Sequence, residues 1–120
     1  MMDTNILYLV LLVIVGYFLF QRLTGVKKTP ATVVLAKIKA GARIIDVRTP
    51  EEFSSGAYRK AKNIPLQTLS NRLEELGAKD KPIVLYCASG SRSSQAARIL
   101  KKAGFSDISD AGGLSSMPQA

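Results

Sequence analysis

The chain has a single cysteine, Cys87, and the residues after it suit a reactive thiol. Ala88, Ser89, Gly90 and Ser91 are small, so the backbone can curl until successive N–H groups point inward at an anion. Arg92 closes the stretch and adds a planar cation that can hold a negatively charged substrate. A thiolate in such a nest is favoured by each N–H and by the start of a helix behind it. There is no histidine anywhere in the sequence, so no Cys–His pair can activate the thiol. If Cys87 is a nucleophile, the loop itself must lower its pKa. The bland alternative is an inert buried cysteine. A metal centre is not implied, because no cluster of histidine or cysteine ligands exists.

The flanking residues say how such a loop is held. The apolar run Ile83-Val84-Leu85-Tyr86 reads as a strand buried on both faces, as in a parallel sheet. Ala96, Ala97, Ile99, Leu100 and Ala103 then recur at helical spacing, with Gly104 placed to stop the helix. Cys87 therefore lies just outside the carboxyl end of a strand, where ligands gather in open α/β sheets. Upstream, Thr29-Pro30 predicts an N-cap and first turn for a helix carrying Val34, Leu35 and Ile38, ended by Gly41. Residues 43–47 predict a second strand that delivers Asp46 and Arg48 to the same sheet end as Cys87. These two read equally well as an ion pair beneath the loop or as substrate contacts. Thr49 and Glu52 have capping-box spacing, so a short helix follows. Leu66, Leu69, Leu73 and Leu76 predict one amphipathic helix ended by Gly77, and residues 105–108 a last short strand.

These residues resemble a known family. Cys87-Ala88-Ser89-Gly90-Ser91-Arg92 is similar to the C-x-x-G-x-R active loop of the rhodanese (sulfurtransferase) family. Ile44-Ile45-Asp46-Val47-Arg48 with Pro50-Glu51-Glu52-Phe53, then Asn63-Ile64-Pro65, then Ala103-Gly104-Phe105 and Gly112-Gly113, match further family segments in order. The resemblance runs from about Thr29 to the C-terminus. It departs at Ala57, where the family has histidine, at Lys60, where it has glycine, and at Met117, in place of an aromatic residue. The last change leads us to expect a short or mobile closing element.

The resemblance implies an α/β, rhodanese-like fold with a central, mainly parallel sheet flanked by helices. It implies sulfane-sulfur transfer: Cys87 takes sulfur from a small anionic donor such as thiosulfate and passes it to a thiol or cyanide-like acceptor. In that scheme Cys87 is the catalytic residue and Ala88, Ser89, Gly90, Ser91 and Arg92 bind substrate, with no cofactor. A catalytically weak binding or adaptor module of the same fold is the alternative. A phosphatase or arsenate reductase fits less well, because four residues separate Cys87 from Arg92 and an oxyanion cradle typically has five.

The remainder is an N-terminal appendage. Residues 6–20 are apolar and uncharged, and extending to residues 4–23 gives about 30 Å of helix, enough to cross a bilayer if Arg22 snorkels outward. We therefore expect residues 1–28 to form one transmembrane helix and tether, and residues 29–120 the domain. Asp3 precedes the apolar run while Arg22, Lys27 and Lys28 follow it, which places the domain on the cytoplasmic side. A lone cysteine agrees with a reducing compartment. The net charge of +8 is spread along the chain and reads first as a solvated surface. Without a basic helix or interleaved aromatics, nucleic acid is not an expected partner. Anionic lipid, small anions and a membrane-associated protein partner remain compatible with that charge.

Overall fold

The computed structural model describes residues 3–24 and 26–119. Four strands form one sheet in the order β2-β1-β3-β4, with every pairing parallel. They are β1 (Arg43–Asp46), β2 (Lys62–Asn63), β3 (Ile83–Cys87) and β4 (Ile108–Gly113). The helices are α1 (Thr4–Thr24), α2 (Ala31–Lys39), α3 (Pro50–Ser54), α4 (Leu66–Leu69) and α5 (Ser91–Lys102), with 3-10 turns at Leu73–Leu76 and Leu114–Ser116.

Strand alternation divides the core in two. Ile45, Val47, Ile83, Leu85 and Cys87 face the side closed by α4, α5 and Leu76, where Leu69, Ala96, Ala97 and Leu100 meet them. Ile44, Val84 and Tyr86 face the other side, packed with Val34 of α2, Ala111 and Met117. All five residues of β3 are buried, as a central parallel strand requires. Each fully buried aliphatic side chain here contributes about 1.5–3 kcal/mol of transfer free energy.

The structure differs from the sequence expectations at several elements. Pro30, not Thr29, occupies the N-cap of α2, with no side-chain capping bond. Thr29 is engaged instead by the edge of the sheet: its N–H donates to the Asp110 carbonyl at 2.7 Å, beside a parallel bridge from Lys28 to Asp110. The expected helix through Leu66 and Leu76 is broken into α4 and a 3-10 turn. The last strand lies at Ile108–Gly113 rather than at 105–108. The closing element is short, the 3-10 turn Leu114–Ser116, and it is packed: Met117 is buried, and the Tyr58 hydroxyl donates to the Pro118 carbonyl at 2.6 Å.

The expectation of a transmembrane helix is not supported. Among the described residues no helix is long and apolar enough to cross a membrane. The uninterrupted apolar run of α1, residues 6–20, spans only about 22 Å at 1.5 Å per residue, against about 30 Å of hydrocarbon. The Arg22 side chain, invoked to lengthen that span, and Gly25 of the tether lie outside what the structure describes. The apolar side chains of α1 are exposed all round, from 45 % at Val15 to 71 % at Val13.

Candidate active site

Cys87 ends β3, and Gly90 begins α5 in the left-handed conformation, φ 102°, which only glycine adopts without strain. That turn folds the loop back over the sulfur. The Gly90 N–H donates to Cys87 Sγ at 2.9 Å, and the Ser93 hydroxyl oxygen lies 3.6 Å from it. Ser93 is buried, and its hydroxyl also reaches the carbonyls of Gly90 (3.1 Å) and Gly112 (3.4 Å). When the thiol loses its proton, the same hydroxyl can turn to donate to sulfur. Burial pushes the Cys87 pKa up, but the Ser93 hydroxyl and the N–H groups of Ser93, Gly90 and Ser89 outweigh it. The net result is a thiol below its ordinary value, which is the condition for a nucleophile.

β4 fixes the loop from beside it. A Cβ on Gly113 would lie 2.6 Å from the Ala88 carbonyl oxygen, so only glycine lets the loop approach this closely. Cys87 itself has no solvent exposure, while Ala88, Ser89 and Ser91 at the rim are exposed. A cleft of about 60 Å³ opens next to the loop, lined by Thr49, Leu66 and Arg92 among others.

The charged residues expected here are all engaged. Arg92 makes a two-pronged pair with Glu52, Nη1 to Oε1 at 2.6 Å and Nη2 to Oε2 at 3.0 Å. Glu52 also completes the capping box of α3 with Thr49. Held chiefly by Arg92 and then by Thr49, its carboxyl falls to a pKa of about 2. Asp46 is wholly buried and grips Arg48 through Nε (3.0 Å) and Nη2 (2.8 Å). Arg48 also donates to the Gly56 carbonyl at 2.7 Å and lies 5.7 Å from the centre of the Tyr86 ring. Asn63 ties the assembly to β2 by donating to the carbonyls of Asp46 and Arg48. Asp46 and Arg48 therefore satisfy one another at the sheet end. The structure places Cys87 at the end of β3, Ala88, Ser89 and Gly90 in the turn, and Ser91 and Arg92 in the first turn of α5, with Arg92 turned to a carboxylate.

Residues 30–116 match the Rhodanese-like domain family. The chain belongs to that family. Thiosulfate sulfurtransferase PspE of Escherichia coli is 34% identical over 85 residues, covering 70% of this chain and 82% of that protein. The uncharacterized protein YqhL of Bacillus subtilis is 46% identical over 67 residues, covering 56% of this chain and 52% of that protein. The chain thus spans about half the length of that relative. A rhodanese-related protein from Thermoplasma volcanium superposes with a TM-score of 0.66 at 31% identity, covering 76% of this chain and 89% of that one.

The roles of two residues of this rhodanese-like site are only partly legible in the sequence. Glu52 was visible as a capping residue, but its second role needs α3 and α5 side by side, which no local pattern encodes. Ser93 follows the loop at a position where a serine reads either as a small helix-start residue or as a hydroxyl that donates to a bound anion. Its burial, the signal that it serves sulfur, appears only once β4 is in place.

Proposed function

We propose that this rhodanese-like protein carries sulfane sulfur on Cys87. The Cys87 thiolate attacks the outer sulfur of a donor such as thiosulfate, and the donor's S–S bond breaks. Sulfite leaves with the electron pair, and Cys87 holds a persulfide. An acceptor thiolate or cyanide-like nucleophile then attacks the outer sulfur and returns Cys87 to thiolate. The observation that carries this reading is the sulfur's own environment: an N–H at 2.9 Å, a buried hydroxyl, and a lowered pKa without histidine. Relatives named as thiosulfate sulfurtransferases support it.

Intact mass spectrometry tests it. Thiosulfate should add about 32 Da, one sulfur, at Cys87 alone, and excess cyanide should remove it. Cys87→Ser should never acquire the mass. A second reading, a binding module that keeps the loop without turnover, is favoured by the complete burial of Cys87 beneath Ala88 and Ser89. Wild-type protein that stays at its unmodified mass under thiosulfate and persulfide donors would select it.

We further propose that α1 attaches the domain to a membrane, with the domain on the cytoplasmic side. Its support is the all-round exposure of apolar side chains on α1 and the charge asymmetry of Asp3 against Arg22, Lys27 and Lys28. An Ala78→Cys, Cys87→Ser chain should float with membranes and be labelled only after the cells are lysed. Recovery in the soluble fraction would overturn attachment, and labelling from outside intact cells would overturn the orientation.

A further inference from the structure

The amino end of the sheet holds a second cavity, of about 340 Å³, within the range of small-molecule sites. Its apolar wall includes Ile38 and Ile44, and Arg43, Lys60 and Lys62 line it with one carboxylate, Glu75. That carboxylate is already held in a two-pronged pair by Arg72, so it answers the lining cations only in part. Lys62 reaches it at 3.0 Å while remaining half exposed, and Arg43 donates to the Glu75 backbone carbonyl at 3.3 Å. Lys60 has no ion pair among the described residues.

Lys60 is also the sole non-glycine residue at positive φ among the described residues, at 67°. A side chain there is strained, and such strain persists where the surroundings hold it in place, often at functional sites. What the strained position delivers is an ammonium on the rim of an apolar cavity. Arg43 pairs with Ile83 in the sheet register, and Cys87 lies four residues farther along β3, about 13 Å away at 3.3 Å per residue. The cavity is therefore distinct from the Cys87 loop.

We propose that this cavity is a second binding site, for a small organic anion with an apolar body and a phosphate-like head. The body lies against Ile38 and Ile44, and the head meets Lys60, Lys62 and Arg43. The inference is independent of sulfur transfer at Cys87.

The test uses the full ¹⁵N-labelled chain in non-ionic detergent, with phenyl phosphate as probe. Amide resonances of Gly41, Ala42, Ile44 and Lys62 should shift saturably, as a set separate from Ser89, Gly90 and Ser91. Lys60→Gly should weaken binding about tenfold, the order expected for one lost charge-assisted contact. It should leave the melting temperature unchanged or higher, because glycine accepts the left-handed backbone freely. Lys60→Arg should keep the affinity within about threefold, since the charge remains. Inorganic phosphate, lacking the apolar body, should bind about tenfold more weakly. Absence of saturable shifts at the first set of amides, undiminished affinity in Lys60→Gly, or equal binding of inorganic phosphate would each overturn the assignment.

Discussion

The two ends of the sheet handle charge in opposite ways. At the carboxyl end each arginine brought near Cys87 has its own carboxylate, Arg48 with Asp46 and Arg92 with Glu52. At the amino end three cations surround one carboxylate that Arg72 already holds. Paired charges leave little net field, so the sulfur at the carboxyl end is governed by hydrogen bonds from the Ser93 hydroxyl and from nearby backbone N–H groups. An excess of cations over carboxylates acts at longer range and suits capture of an anion from solvent. An arginine inside a reactive loop can thus be held by a carboxylate before any substrate arrives, as Arg92 is by Glu52.

The largest effect should come from breaking the buried pair. Asp46→Ala leaves Arg48 charged, nearly enclosed and without its partner, and should cost about 3–5 kcal/mol of stability in urea unfolding. The double variant Asp46→Ala, Arg48→Met should recover part of the loss, because no orphan charge remains. A single-variant cost below about 1 kcal/mol would mean that the pair is not the structural brace described here. By contrast, Lys60→Gly at the amino end should be neutral or stabilising.

How much of this contrast the sequence reveals depends on how local each cause is. β3, its loop and α5 are contiguous, and their apolar run, small residues and helical spacing are all short-range signals. The Thr49–Glu52 capping box is equally local, and both of its hydrogen bonds are present. β2 is invisible from its own two residues, Lys62 and Asn63, because its pairing is supplied by β1. β4 reads Ile-Ser-Asp-Ala-Gly-Gly, a poor strand by propensity. It is a strand because β3 pairs with it, and glycine at 113 leaves room for the Ala88 carbonyl beside it. The resemblance flagged those two glycines without saying what they touch. Asp46 and Arg48 could be read two ways because only their burial separates an ion pair from a substrate contact. The cavity near Lys60 has no sequence signature, being assembled from α2, β1, β2 and a 3-10 turn.

The next effect in size separates bracing from substrate contact at Arg92. Arg92→Ala removes the cation and leaves the Glu52 carboxylate facing an anionic donor. Single-turnover loading from thiosulfate should slow by about 10²-fold, the order expected when a preorganised charge partner is lost. Glu52→Gln frees Arg92 but keeps its charge, and should slow loading by less than about tenfold. The double variant should load faster than Arg92→Ala alone, because the repelling carboxylate is gone. Equal rates for the double variant and Arg92→Ala would show that Glu52 exerts no repulsion on the donor.

A smaller effect appears in acid. Glu52 and Glu75 both have folded pKa values of about 2, depressed chiefly by Arg92 and by Arg72 respectively. Their unfolded values lie near 4.3. A depressed carboxylate contributes stability that is present above its unfolded pKa and is lost as pH falls through the folded one. The melting temperature should therefore decline between about pH 5 and pH 2. Glu52→Gln should flatten part of that decline, and added salt should flatten more, since both pairs are partly exposed. A wild-type melting temperature unchanged across that window would contradict the pairing.

The finest distinction concerns Ser93, whose hydroxyl oxygen lies 3.6 Å from the sulfur. Burial raises the Cys87 pKa, and the Ser93 hydroxyl is the first of the groups that bring it back down. Ser93→Ala removes that hydroxyl and leaves Gly90, Ser89 and the Ser93 N–H to oppose burial alone. The thiol pKa, followed by thiolate absorbance against pH, should move upward. At neutral pH a smaller thiolate fraction should slow persulfide formation by about three- to tenfold. The sign of the pH dependence separates this from simple damage to the loop. If Ser93 acts through the thiolate fraction, the gap between variant and wild type must close as pH rises above both thiol pKa values. A loop that had merely lost its shape would remain slow at every pH, and Ser93 would then be a packing residue with no hold on the sulfur.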